Sequence, residues 1–189
     1  MKIAITQRVI DYRNGPYDSL DHGFYSMFRD HQLLPIPNNA QHYSDLVIAQ
    51  ADAVVFTGGN SMDPDNWQYN DIRLQCERRA LQIALNLNKP IVGISRGCQF
   101  LTTELGGTIV KTDRHKKDHA VYYNNTAVTV CSRHEECLDQ LPEGAQVLAT
   151  DAQGCCESWQ RDRVVTVLWH PERMTDHWVP DEMKQVLKL

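Results

Sequence analysis

The sequence predicts an α/β fold: a mostly parallel sheet carrying an antiparallel strand extension. Two observations point to it. In the first half, short apolar runs alternate with stretches of helical periodicity; in the second half, strand follows strand across polar turns. Glycine pairs punctuate the pattern at Gly58-Gly59 and Gly106-Gly107.

Taken in order, Lys2–Thr6, Leu34–Pro37 and Ala51–Thr57 read as strands, the third running into Gly58-Gly59. From Asp71 to Leu87, apolar or small residues recur at Ile72, Cys76, Ala80, Ile83, Ala84 and Leu87, which is the spacing of one helix face. Asn88-Lys89-Pro90 stops that helix, Pro90–Ile94 is a buried-strand run, and Gln99–Leu105 is a helix closed by Gly106-Gly107. His119–Tyr123, Thr126–Val130, Ala145–Thr150, Cys155–Trp159 and Val164–Trp169 then form a meander, and a helix over Asp181–Leu189 follows. No repeat, linker or low-complexity segment divides the chain, so residues 1–189 are expected to form one domain.

The chain has 189 residues and a net charge of −5, which argues against a nucleic-acid binder working through a basic face. No apolar run approaches the ~18 residues of a membrane helix. Met1–Arg8 reads as a short strand rather than an export signal, so a soluble, cytoplasmic protein without a membrane partner is expected. No pattern sets an oligomeric state. The six cysteines (76, 98, 131, 137, 155 and 156) are expected to be reduced. Cys131, His134 and Cys137 lack the tight paired spacing of a structural zinc site, and His115-x-x-x-His119, flanked by Arg114, Lys116 and Lys117, reads as a solvated loop. No metal is expected.

The strongest chemical signal is Gly93-Ile94-Ser95-Arg96-Gly97-Cys98-Gln99, a G-x-S-x-G turn from strand to helix. A nucleophile in such a tight turn needs small neighbours two residues away, and it stands at a helix N-terminus that favours developing negative charge. The same pattern also suits an ordinary glycine-bounded turn. Two further segments bear on the choice. His170-Pro171-Glu172 follows a strand and supplies a base with a carboxylate to orient it. Phe56-Thr57-Gly58-Gly59-Asn60 ends another strand with two glycines whose N–H groups, with that of Arg96, suit an oxyanion. All three sit at the carboxyl ends of predicted strands, where one sheet edge brings them together.

These motifs resemble the class I glutamine amidotransferases and the related C26 γ-glutamyl hydrolases. Gly93–Gln99 resembles their G-I-C-x-G-x-Q elbow, Trp169-His170-Pro171-Glu172 their W-H-P-E segment, Gly58-Gly59-Asn60 their oxyanion-strand glycines, and Ser132-Arg133-His134 their S-x-H substrate-binding stretch. Order and spacing agree from Ile5 to the last strand. The Arg after the nucleophile position favours the hydrolase branch. Ile5-Thr6-Gln7-Arg8, Gly58-Gly59-Asn60 and the short chain look most like the bacterial γ-glutamyl-CDP-amidate hydrolases of capsular phosphoramidate synthesis.

The resemblance implies a flavodoxin-like doubly wound sheet and hydrolysis of a γ-glutamyl amide or phosphoramidate without a cofactor. It implies Ser95, His170 and Glu172 as the catalytic group, and the N–H groups of Gly59 and Arg96 as oxyanion donors. Gly58, Asn60, Gln99, Ser132, Arg133 and His134 would contact substrate, a small γ-glutamyl compound that is nucleotide-linked in one option. Gln99 and His134 also suit a helix-face Gln and a loop His. Arg96 suits either an anionic leaving group or a solvent-facing helix start. Arg13, Arg114, Lys116 and Lys117 suit a diphosphate or plain solvation.

The chain departs from the family at one decisive place: Ser95 stands where the elbow carries Cys. Cys98, three residues into the helix, is no substitute. Three readings are open, ranked in this order: a Cys-to-Ser change that traps substrate or product, a natural Ser hydrolase, and a binder without turnover. The ranking rests on chemistry. A thiol ionises readily beside His and a helix N-terminus, whereas a hydroxyl needs its proton removed during attack. A glutaminase that feeds ammonia to a partner synthetase, and a non-catalytic γ-glutamyl-binding module, are the alternatives in function.

Overall fold

A computed structural model describes residues 1–13, 15–39, 41–62, 70–112 and 115–189. Its strands are β1 (Lys2–Thr6), β2 (Arg8–Tyr12), β3 (Gly15–Ser19), β4 (Gln32–Ile36), β5 (Ala53–Phe56), β6 (Ile91–Ile94), β7 (Thr108–Lys111), β8 (His119–Tyr123), β9 (Thr126–Val130), β10 (Glu136–Gln140), β11 (Gln146–Thr150), β12 (Cys156–Arg161) and β13 (Val164–Val167). The helices are α1 (His22–Met27), α2 (Gln41–Gln50), α3 (Asn70–Asn86), α4 (Arg96–Glu104) and α5 (Asp181–Leu187).

A nine-stranded sheet runs β4-β1-β5-β6-β13-β12-β11-β8-β9. β4, β1, β5, β6 and β13 are mutually parallel, and every later pairing, from β13–β12 outward to β8–β9, is antiparallel. This is the mixed, flavodoxin-like α/β sheet with an antiparallel extension. The parallel strands are buried on both faces because consecutive side chains go to opposite sides. Ile3, Ile5, Val55 and Val92 meet Phe24 and Phe28 near α1 and Met183 and Leu187 of α5. Ala4, Val54, Phe56 and Ile91 meet Ile48 of α2, Ala80, Leu81 and Ala84 of α3 and Phe100 and Leu101 of α4.

The predicted strands and helices all form, with ends shifted by a few residues. One shift matters: the elbow helix begins at Arg96, immediately after Ser95, rather than at Gln99. Short elements without a clear period were missed, namely the β2–β3 hairpin, α1, α2 and the β7–β10 pair. No described helix is long and apolar enough to cross a membrane.

Candidate active site

β6 ends at Ile94, and the chain reverses into α4 through Ser95, whose backbone is left-handed at φ 55, ψ −115. A non-glycine residue in that conformation stores roughly 1–3 kcal/mol of strain. The turn is held by the Ser95 N–H donating to Val167 O at 2.8 Å. It needs its two glycines: a Cβ on Gly97 would overlap the Phe56 carbonyl, and one on Gly93 would meet Leu101 Cδ1 at 2.7 Å. The sequence pattern and the packing thus have one cause.

His170 lies just beyond β13, its N–H bonded to Cys131 O at 2.8 Å. A single 3-10 turn, Pro171–Arg173, folds Glu172 back onto the ring. Ser95 Oγ stands 3.1 Å from His170 Nε2, and His170 Nδ1 stands 2.8 Å from Glu172 Oε1. All three side chains are buried. With its Nδ1–H donating a hydrogen bond to the carboxylate, the imidazole presents a lone pair at Nε2 to the hydroxyl. Gly58 admits this line, since a Cβ there would sit 3.0 Å from His170 Cε1 and 3.2 Å from Ser95 Cβ. Cys98 is fully buried and burial pushes its thiol up, so it takes no part at the elbow tip.

The turn after β5 is set by a residue that the sequence reading passed over. Arg73 of α3 is fully buried and donates to Thr57 O (2.9 Å), Gly58 O (3.2 Å), Gly59 O (2.8 Å) and Asn60 Oδ1 (3.0 Å). In a trans peptide the N–H points opposite to the carbonyl, so holding Gly58 O on Arg73 turns the Gly59 N–H the other way. Glu77 pairs with Arg73 at 2.9 Å and with Arg96 at 2.5 Å. Arg96 is therefore a buried, ion-paired side chain, which corrects its reading as a solvent-facing helix-start Arg. The available signal was an Arg and a Glu four residues apart on the face of a helix that otherwise turns inward.

A cleft of about 630 Å³ opens over this group, with Gly59, Ser95, Gln99 and His170 in its wall. Gln99 Nε2 donates to Glu136 Oε2 at 3.3 Å across it. Asn60 also lines the cleft, but its side chain is clamped to Val9 N (3.1 Å) and Val9 O (2.9 Å), so it fastens the β2–β3 hairpin. Arg133 lines the cleft and pairs with Asp118. Ser132 is fully buried and is not in the wall. His134 is in the wall, although its Nδ1 is turned to Glu136 O at 2.9 Å and its Nε2 faces Glu157. The basic residues of the wall are Arg96, Lys111, Arg133 and Arg173. Of the cations suggested by the sequence, Arg13 stacks on Tyr12, Lys116 pairs with Glu135, and Lys117 is not in the wall. Arg114 lies outside the described residues. The reading of His115 and His119 as a solvated loop fails, because His115 is buried and stacks on His119.

Comparison with known proteins places this geometry. The family model "Glutamine amidotransferase class-I" matches residues 8–186. The chain belongs to the class-I glutamine amidotransferase family. Its fold is that of the family's solved members: a glutamine amidotransferase from Thermotoga maritima superposes with a TM-score of 0.66 at 14% identity, covering 99% of this chain and 82% of that one. The γ-glutamyl-CDP-amidate hydrolase of Campylobacter jejuni is 25% identical over 92% of this amidotransferase-family chain and 90% of its own. A Mycobacterium tuberculosis protein bearing the glutamine amidotransferase name is 26% identical over 69% of the chain. The chain spans about half that relative's length, 53%.

Proposed function

We propose that the protein hydrolyses a γ-glutamyl amide or phosphoramidate, with γ-glutamyl-CDP-amidate as the leading substrate and glutamate and cytidine diphosphoramidate as products. The observation that carries this reading is the buried line from Ser95 Oγ through His170 to Glu172, with spacings of 3.1 and 2.8 Å. The Campylobacter jejuni hydrolase, alike over nearly its full length, supports the choice of leaving group. The wall's Lys111, Arg133 and Arg173 are charges that a diphosphate would meet.

In this reading the side chain at 95 attacks the γ-carbonyl carbon while His170 Nε2 takes its proton. The N–H groups of Gly59 and Arg96 receive the oxyanion. Collapse breaks the carbonyl–nitrogen bond, and His170 returns the proton to the leaving nitrogen. Water, deprotonated by His170, then cleaves the γ-glutamyl-enzyme and frees glutamate. Glu172 holds the imidazole tautomer throughout. A Cys at 95 would pass through a thioester and Ser95 through an ester, and the order of readings remains trapped Cys enzyme, natural Ser enzyme, then binder.

The test is glutamate release by the Ser95 protein and by Ser95→Cys, measured side by side. The panel is γ-glutamyl-CDP-amidate, γ-glutamyl-GABA, a simple γ-glutamyl amide and glutamine. Turnover by the Cys form alone supports a disabled Cys site, and fast turnover by both supports a natural Ser enzyme. Glutamine hydrolysis that rises only with a synthetase present would replace the reading by an ammonia-delivering glutaminase. Binding with no cleavage by either form would leave a γ-glutamyl-binding module.

A further inference from the structure

Beyond the cleft wall, the antiparallel extension meets the β7–β10 pair at a cluster of side chains that the hydrolytic reading does not use. His115, His134 and Glu157 are 2%, 4% and 0% exposed, and His119 stands beside them at the edge. His115 Nδ1 lies 3.4 Å from Glu157 Oε1, while His119 Nε2 and His134 Nε2 lie 3.7 and 3.5 Å from Glu157 Oε2. Cys137 Sγ is 3.2 Å from the same His115 nitrogen. Both Glu157 oxygens and the Nε2 atoms of His119 and His134 are buried without a hydrogen-bond partner. Buried polar atoms of native proteins rarely stand so.

The outer nitrogens explain the arrangement. His115 Nε2 meets Asp151 Oδ2 at 2.9 Å, His134 Nδ1 meets Glu136 O at 2.9 Å, and His119 Nδ1 meets Lys117 O at 3.2 Å. Each outer partner is a pure acceptor, so each ring keeps a hydrogen on its outer nitrogen. In the neutral tautomer the inner nitrogens then carry lone pairs, all facing a carboxylate that also has only lone pairs to offer. A cation at the centre satisfies every one of them. A histidine held from behind by a carboxylate or carbonyl, with its free nitrogen turned inward, is the arrangement of metal ligands. The imidazole-to-carboxylate separations of 3.4–3.7 Å are near the ~3.3–3.5 Å between neighbouring ligands of a tetrahedral zinc, and the donor atoms of His115, His119 and Glu157, like those of His115, His134 and Cys137, lie within 4.8 Å of one another.

We propose that His115 Nδ1, His119 Nε2, His134 Nε2 and the Glu157 carboxylate bind one divalent transition-metal ion of the zinc class, with Cys137 Sγ at the margin of the shell. Imidazole and thiolate donors select such an ion over magnesium or calcium. The ion clasps the 115–119 segment, the His134 loop and β12 together. It also sets the path of the chain from Cys131, whose carbonyl holds His170, to the cleft wall. This claim is independent of the substrate reading, and it assigns His134 to a metal rather than to substrate.

The test uses the whole chain, purified without chelator. Metal analysis is expected to find about one zinc-class ion per chain. After removal, Co²⁺ titration should give the visible absorption of tetrahedral cobalt, saturating at one equivalent. The melting temperature should rise with added Zn²⁺, since an ion that binds only the folded state stabilises it. The double variant Glu157→Gln/His119→Ala should lose the cobalt absorption and the zinc-dependent rise, with its circular dichroism confirming a folded chain. If that variant does not fold, the wild-type titration decides alone. The variant His22→Ala/His42→Ala, which removes two exposed histidines, should bind as wild type does. Substoichiometric metal with no cobalt absorption and no zinc-dependent rise would overturn the proposal, as would loss of binding in the surface-histidine variant.

Discussion

The guanidinium of Arg73 donates to the main-chain carbonyl of Gly59 at 2.8 Å, and through this contact a buried charge on α3 sets the turn that faces Ser95. The same side chain takes the carbonyls of Thr57 and Gly58, so three successive peptides are oriented by one rigid fork of donors. Glu77 then couples it to Arg96, the first residue after the elbow. The two sides of the proposed oxyanion pocket are thereby fixed to each other through a buried Arg–Glu–Arg unit.

Arg73→Met should lower both stability and turnover. It strands the carbonyls of the turn and leaves Glu77 with Arg96 alone, and breaking such a buried unit costs about 3–5 kcal/mol. Burial, with the charge of Arg96, pulls the Arg73 guanidinium down to about 10, so it is charged throughout the neutral range and no pH rescue is expected there. Arg73→Lys keeps the charge without the fork, and its kcat should fall more than its KM rises. Thermal unfolding and steady-state kinetics check both variants. Wild-type melting together with wild-type kcat in Arg73→Met would remove the network from the account.

Glu172→Gln should leave the fold nearly untouched and reduce turnover by about 10³–10⁴-fold in the more active of the two position-95 forms. An amide that offers its NH₂ to Nδ1 reverses the imidazole tautomer and turns an N–H toward Oγ, as in triads that lose their carboxylate. Single-turnover rates give the readout. A loss smaller than tenfold would make Glu172 an ordinary partner of His170 rather than its orienting group.

Gly58→Ala should separate binding from chemistry. The added methyl, 3.0 Å from His170 Cε1 and 3.2 Å from Ser95 Cβ, pushes the two reacting groups apart while leaving the rest of the cleft wall in place. Misplacement of a reacting pair by about 1 Å costs roughly 10²-fold, so a shift of a few tenths of an ångström is expected to lower kcat by about tenfold. Glutamate binding, measured by calorimetry, should change little. Equal losses in affinity and kcat would show that the turn itself had collapsed.

Much of this was legible in the sequence because it is local. The parallel strands are short runs apolar on both faces, and the elbow declares itself through Gly93 and Gly97, which the structure needs for clearance against Leu101 and the Phe56 carbonyl. His170 and Glu172 are two residues apart, so one turn sufficed to join them. What escaped was assembled from distant segments. Arg73 and Glu77 look like a surface pair until the turn at 57–60 is laid over them. His115, His119, His134 and Glu157 come from three separate stretches with no ligand spacing between them; the pairing of β8 through β11 with β12 brings His119 to Glu157, and the His134 N–H donating to His115 O brings in the third stretch. The missed hairpin β2–β3 carries exposed Tyr12 and Tyr17 and no apolar alternation strong enough to mark it.

Thiol chemistry should report the elbow directly. Burial pushes the thiols of Cys76 and Cys156 up to about 12 and that of Cys98 higher still, so at pH 7.5 these carry almost no thiolate. Native Ser95 protein should therefore take iodoacetamide slowly, with these three unlabelled. Ser95→Cys places a thiol at the N-terminus of α4, where the hydroxyl now stands 3.1 Å from His170 Nε2, and both features favour the thiolate. A single additional adduct should appear at position 95 within the time that leaves the other cysteines unmodified, and adding His170→Ala should slow it about tenfold or more. Mass spectrometry of peptides spanning Ile91–Glu104 locates the adduct. A thiol at 95 that reacts no faster than Cys98 would mean that the elbow does not activate its nucleophile, and the hydrolytic reading would lose its central residue.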